Sequence, residues 1–210
     1  MKLLIFGATG KTGQLLVRQA RDRGHDVTAF VRDPAKLAGL GDAVRIARGQ
    51  VTEDTAAVED AVAGQDAVLV ALGPRSPFDG AVMTASLGLI VPAMTAHGVR
   101  RLVLLSALGV GDGVENAPLL MTIVGRSLLR RAAADKRASE RLVHGSDLDW
   151  LSLYPGALTG GDGTGSYRLD PAGRVRGFPR IARADVAKCM LDEVEHPTLH
   201  KAAAVLLASR

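Results

Sequence analysis

Three glycines stand three residues apart in the run Gly7-Ala8-Thr9-Gly10-Lys11-Thr12-Gly13. That spacing suits a chain that must turn tightly, bring bare backbone against a pyrophosphate and pack a helix closely on a strand. A helix opening at such a turn offers unsatisfied N–H groups and a partial positive charge to phosphates. The Walker phosphate loop is excluded, because Gly10-Lys11-Thr12 has Ile5 where that loop needs its first glycine. A dinucleotide is the ligand this turn implies. In sites that prefer NAD, an acidic residue ending the second strand accepts hydrogen bonds from the ribose hydroxyls. Here the second apolar run ends in Arg32, with Lys36 one helical turn later. A guanidinium grips a 2′-phosphate with two hydrogen bonds, so NADPH is expected ahead of NADH. The alternative is that Arg32 is a solvated strand-end charge, with Asp33 beside it.

The elements that must position these residues alternate along the chain. Leu3-Leu4-Ile5-Phe6 is a continuous apolar run, the mark of a parallel strand buried on both faces. Gln14 to Arg23 reads as a helix ended by Gly24, and His25 to Val31 as the second strand. Further strands are expected at Val44 to Ala47, Asp66 to Leu72, Arg101 to Ser106, Asp149 to Tyr154 and Ala203 to Ala208. Helices are expected at Glu53 to Ala63, Gly80 to His97 with a kink at Pro92, within 118–145, and at Ala184 to Glu195. Residues 166–181 read as looser chain, and the glycine-rich stretch 156–165 as a mobile flap. Strands and helices in turn predict an α/β fold, a Rossmann-like doubly wound parallel sheet with right-handed crossovers. The whole chain, 1–210, reads as a single NAD(P)-binding domain with small substrate-side elements at its C-terminal end.

Of the 210 residues, 47% are hydrophobic and 23% charged, a globular composition. Aromatic residues, at 3%, are too few for a base-stacking platform. A net charge of +4 favours anionic ligands. The basic residues are scattered and no zinc-finger, zipper or RNA-binding signature is present, so nucleic acid is not expected. The single Cys189 falls in a helical pattern as a small core residue, and no disulfide framework exists. Met1 to Phe6 is too short for a signal peptide and no stretch reaches membrane-spanning length, so a cytoplasmic protein is expected. Leu119 to Val124 reads as core or interface. The histidines lack metal-ligand spacing, His196 and His200 being separated by a segment with Pro197, and no metal is expected. A Ser-His-Asp hydrolase lacks its G-x-S-x-G elbow.

Beyond the glycine turn, the chain resembles the atypical short-chain dehydrogenases, and within them the biliverdin-IXβ reductase and NADPH-dependent flavin reductase group. The likeness rests on Gly7 to Gly13, Val31-Arg32-Asp33, Val62 to Val68, Leu72-Gly73-Pro74-Arg75, Ala93 to Val99, Ser106-Ala107, Asp147 to Trp150, Pro155-Gly156 and Ala184 to Ala187. It implies that Gly7, Thr9, Gly10, Lys11, Thr12 and Gly13 cradle the pyrophosphate and that Arg32 and Lys36 meet the 2′-phosphate. It places Gln50 and Val51 beside the adenine, where relatives carry Asp. Leu72, Gly73 and Arg75 would follow the ribose and phosphates. Ser106 would face the nicotinamide, Lys136 would stand near the cofactor, and Pro155 and Gly156 would close over the carboxamide.

The substrate side departs from the family. Neither tyrosine begins a Tyr-x-x-x-Lys pair, since Tyr154 is followed at that distance by Leu158 and Tyr167 by Pro171. Where biliverdin-IXβ reductases carry a histidine, Ala157 stands. Hydride transfer to a flavin or quinone needs little acid–base help, because the cofactor carries the chemistry and solvent can protonate the product. The candidate catalytic residues are therefore few. Ser106 hydrogen-bonds a substrate carbonyl or the carboxamide, or is an ordinary strand-end hydroxyl. Lys136 lies near the cofactor, or on a solvated helix face among Arg130, Arg131, Arg137 and Arg141. Tyr154 is a late proton donor, or packs. An NADPH-dependent reductase of flavin-, quinone- or tetrapyrrole-like acceptors is the leading expectation, working on a small-molecule substrate as a monomer or homodimer. A non-catalytic NADP(H) sensor is the alternative, and a sugar-nucleotide epimerase or dehydratase a weaker one.

Overall fold

The computed structural model describes residues 1–40, 44–73, 82–108, 130–173, 175 and 177–209. Its main sheet begins with β1 (Lys2–Phe6), β2 (Asp26–Val31), β3 (Val44–Arg48), β4 (Ala67–Val70), β5 (Arg101–Leu105) and β6 (Asp149–Pro155). It is completed by β8 (Tyr167–Asp170) and β10 (Ala202–Ala208), in the order β3-β2-β1-β4-β5-β6-β10-β8. Neighbours run parallel except β8, which lies antiparallel to β10. Among the described residues five α-helices flank it: α1 (Lys11–Asp22), α2 (Thr55–Val62), α3 (Val82–Ala96), α4 (Arg130–His144) and α5 (Arg183–Glu195). This is the expected Rossmann-like sheet, with strand order reversing beside β1.

The apolar runs are continuous because successive side chains face different helix layers. Leu3 and Ile5 pack with Leu16 and Val17 of α1 and with Val186 and Met190 of α5. Leu4 and Phe6 join Val58 and Val62 of α2 and Leu87 and Ile90 of α3 on the opposite face. Leu3 to Phe6 are fully buried, each worth about 1.5–3 kcal/mol in removal from water. Cys189 is likewise a buried core residue with a free thiol, and burial pushes that thiol up from its ordinary range.

Several boundaries differ from the sequence expectation. The first helix opens at Lys11, three residues early, so Lys11, Thr12 and Gly13 form its first turn. The chain stays helical through Pro92 from Val82 to Ala96. The carboxylate of Asp135 accepts from the N–H groups of Met83 and Thr84, each at 2.8 Å, and so caps α3 from a neighbouring helix. Within 166–181, read as loose, lie β8 and β9 (Arg180–Ala182), the latter pairing in parallel with β7 (Ala157–Thr159).

The stretch 156–165, read as a mobile flap, is fastened. Asp185, 2% exposed in the first turn of α5, accepts from Thr164 N–H at 3.0 Å and Gly165 N–H at 2.8 Å. Gly163 has φ +79°, and a Cβ there would lie 2.5 Å from the same carboxylate. Charge-assisted hydrogen bonds of this kind contribute about 1.5–3 kcal/mol each to a buried group. Asp185→Ala is therefore expected to lower stability by about 2 kcal/mol and to accelerate amide exchange at Thr164 and Gly165 selectively. Unchanged exchange at those two amides would show that the carboxylate does not hold the loop.

Candidate dinucleotide site

A cleft of about 520 Å³ opens at the carboxyl ends of β1, β2 and β4. Its floor is Phe6, Gly7, Thr9 and Gly10, and its walls come from the chain after β2, β3 and β4. At the floor the glycines are required by space and torsion. Gly7 has φ +83°, and a Cβ on it would sit 2.5 Å from the carbonyl oxygen of Ala71. A Cβ on Gly13 would overlap the carbonyl of Gly7. The turn is closed by Gly10 N–H donating to Gly7 O at 3.0 Å, and the Gln14 side-chain amide donates to Thr9 O at 3.2 Å. The N-cap Gly10 makes no side-chain cap and the first turn of α1 holds no acidic residue, so the positive end of the helix is not neutralised from within the helix itself. This donor set fits an anion approaching bare backbone.

Both cations expected after β2 line the cleft, Arg32 and Lys36, exposed at its rim. Asp33 is turned away: its Oδ1 accepts from Ala35 N–H at 3.2 Å and starts the short 3₁₀ helix Pro34–Leu40. Gln50 and Val51 line the opposite wall with Thr52 and Glu53, and Gln50 Nε2 donates to Glu53 Oε1 at 2.8 Å. Leu72 and Gly73 close the third side; Arg75 lies outside the described residues.

Further along the carboxyl edge, beyond the cleft lining, β5 and β6 carry the second group of candidates. Ser106 is 6% exposed; its N–H donates to Leu153 O at 2.8 Å and its hydroxyl to Glu140 Oε1 at 2.5 Å. Lys136 stands one turn before Glu140 on α4. Burial pushes its ammonium down to about 8 against the raising effect of Glu140 and Asp135. Lys136 is half-buried, whereas Arg137 and Arg141 are exposed. Tyr154, 1% exposed, packs with Leu108 and Val205. Pro155 and Gly156 are buried, with Gly156 pressed under Pro179 so that a Cβ would overlap the Pro179 carbonyl.

From residue 7 to residue 197 the chain matches the pattern of the NAD(P)H-binding family. The chain belongs to that family. This NAD(P)H-binding protein is 37% identical over 185 residues to the 3-diazoavenalumate denitrifying reductase of a Streptomyces species, covering 80% of the chain and 59% of that enzyme. It matches a solved Streptococcus pneumoniae structure, whose proposed activity is that of an NADH-flavin reductase, at TM-score 0.82 and 27% identity with 100% of both chains covered. ChuY, an anaerobillin reductase of Escherichia coli O157:H7, shares the fold at TM-score 0.83 and 22% identity, over 99% of this chain and 97% of its own.

In this NAD(P)H-binding protein the structure gathers Gly7, Thr9, Gly10, Arg32, Lys36, Gln50, Val51, Leu72 and Gly73 around one cleft. Lys11, Thr12 and Gly13 follow at the helix start, whereas Ser106, Lys136, Pro155 and Gly156 form the separate group beyond it. Sequence reasoning missed Gly49, where a Cβ would meet Phe30 at 2.6 Å and Ala57 at 2.8 Å, so glycine lets the turn after β3 settle on the cleft wall. It also missed Glu140. Among the described residues no cluster is suited to hold a metal ion, and no helix is long and apolar enough to cross a membrane.

Proposed function

We propose that the protein is an NADPH-dependent reductase of planar acceptors of the flavin, quinone or tetrapyrrole type. One observation carries the reading. An uncapped, acid-free helix terminus and two cations, Arg32 and Lys36, line or adjoin a single cleft whose floor turn admits only glycine at Gly7. The N–H groups of Lys11, Thr12 and Gly13 would bind the pyrophosphate, with Gly7, Thr9 and Gly10 shaping the approach. Arg32 and Lys36 would hold the 2′-phosphate, while Gln50 and Val51 flank the adenine. Leu72, Gly73 and Arg75 would guide the ribose and phosphates. Ser106, Pro155 and Gly156 would orient the nicotinamide, which when bound supplies the hydride. The relatives named as reductases support catalysis over the sensor reading. That alternative draws on the burial of Tyr154, which removes one donor from the site.

With Tyr154 packed away, Lys136 is the group suited to return a proton to the reduced acceptor or its surroundings. Its ammonium is held near 8, matched to proton transfer at neutral pH. Acceptor-dependent NADPH oxidation should hold steady below pH 8 and fall above it, and Lys136→Met should remove that limb while lowering kcat about tenfold. The same shift has a stability signature. Between about 8 and the ordinary 10.5 the unfolded chain keeps a proton that the folded chain releases, so stability contributed by this group rises with pH across that window. The direct experiment follows loss of nicotinamide absorbance with a panel of flavins and quinones. No loss with any of them ends the reductase reading; tight cofactor binding without turnover would favour the sensor.

A further inference from the structure

Glu140 is 2% exposed, in the middle of a helix whose other charges include exposed Arg137 and Arg141. Carboxyl groups are seldom buried to that degree without a polar partner. One partner among the described residues is a hydroxyl at the end of β5, with Ser106 Oγ donating to Glu140 Oε1 at 2.5 Å. A serine hydroxyl has one proton and two lone pairs, and a carboxylate accepts only. Once that proton is given to Glu140, Ser106 has lone pairs alone to show elsewhere. Its backbone N–H is spent too, donated to Leu153 O. A serine free to rotate would present donor or acceptor as the ligand required; this one is fixed.

We infer that Glu140 is a positioning residue that locks Ser106 as a hydrogen-bond acceptor, selecting the amide NH₂ of a nicotinamide carboxamide over a carbonyl oxygen of the acceptor. The inference rests on the proposed reading, in which Ser106 faces the nicotinamide. It assigns the two halves of the chemistry to different groups. Ser106 orients the ring and protonates nothing, which leaves the donor role to Lys136, one turn away on the same helix.

Calorimetric binding of NADP⁺ and of adenosine 2′,5′-bisphosphate, which lacks the nicotinamide half, tests it. Glu140→Gln keeps the side-chain shape but replaces an acceptor-only carboxylate with an amide that donates as well as accepts, so the hydroxyl proton is no longer held inward and can turn against the carboxamide NH₂. The dissociation constant for NADP⁺ is expected to rise about tenfold, the upper scale of one neutral hydrogen bond lost, with the bisphosphate unchanged within about twofold. Ser106→Ala should show the same selective loss, and adding Glu140→Gln to it should cost nothing further. Equal loss for both ligands, or additive losses in the double variant, would mean that Glu140 only supports the fold, and the inference falls. So does wild-type affinity for NADP⁺ in Glu140→Gln. If Glu140→Gln does not fold, Ser106→Ala decides: unchanged NADP⁺ affinity overturns the inference. Failure of the wild-type protein to bind either ligand is a different result, and it removes the proposed function instead.

Discussion

Gly7→Ala should abolish measurable dinucleotide binding and lower the unfolding free energy by about 3 kcal/mol, the combined scale of left-handed strain and backbone overlap. Two independent facts set that size. The torsion, φ +83°, is one that a residue with a Cβ adopts at a cost of about 1–2 kcal/mol. The space is filled as well, because the new carbon would lie 2.5 Å from Ala71 O, 2.6 Å from its carbonyl carbon and 2.8 Å from Leu72 N. Those atoms are backbone following β4, where Ala71 N–H donates to Phe6 O, so relief requires the turn to move away from the sheet. Moving it displaces Gly10, whose N–H is tied to Gly7 O, and with it the start of α1. Gly24→Ala is the control: its φ of +80° is nearly the same, yet nothing lies within 4 Å of the added carbon. It should lose only the torsional part and bind normally. Urea unfolding and calorimetry on the two variants separate strain from overlap. Full affinity in Gly7→Ala would show that the turn does not touch the nucleotide.

The same contrast between torsion, space and pattern explains which features could be read in advance. The opening strand was legible because Leu3 to Phe6 must satisfy two helix layers, which leaves no polar position. The turn was legible because its glycines answer to a single constraint, backbone against backbone. The strands β7 and β9 were not. Each has three residues, and they pair across about twenty intervening positions, so neither alternation nor a local turn marks them. Asp185 was missed as a fastener for the opposite reason, since its shortest bonds come from main-chain N–H groups, which carry no residue type. Glu140 did leave a trace. Ser139, Glu140 and Val143, 1%, 2% and 0% exposed, recur at the spacing of a buried helix face. Two of the three are polar, so a search for apolar periodicity passes over them. The cations Arg32 and Lys36 were found because a strand end is a fixed address in a doubly wound sheet. The direction taken by Asp33 was not, since it depends on a hydrogen bond to its own backbone.

That direction matters most for Arg32→Ala, which should raise the dissociation constant for NADPH about 50-fold while changing that for NADH less than about threefold. Discrimination between the two cofactors is a question of one phosphate, and the residues at the end of β2 decide who meets it. With the Asp33 carboxylate engaged by Ala35 N–H, the charges offered to the cleft there are Arg32 and Lys36. The acidic residue among the described cleft-lining positions is Glu53, on the far wall, where Gln50 already donates to it. Two charge-assisted hydrogen bonds from a guanidinium contribute about 1.5–3 kcal/mol each when shielded, and less at an exposed rim such as this. The 50-fold figure reflects that discount. Lys36→Ala, removing a point charge without the fork, should cost about fivefold. Salt gives a second handle. Raising ionic strength from about 0.05 to 0.5 M should weaken NADPH binding in the wild-type protein more than in Arg32→Ala, because the screened attraction has already been deleted there. Parallel losses for NADPH and NADH would mean that Arg32 stacks on the adenine or props the turn. The preference for a phosphorylated ribose would then have to come from elsewhere in the cleft.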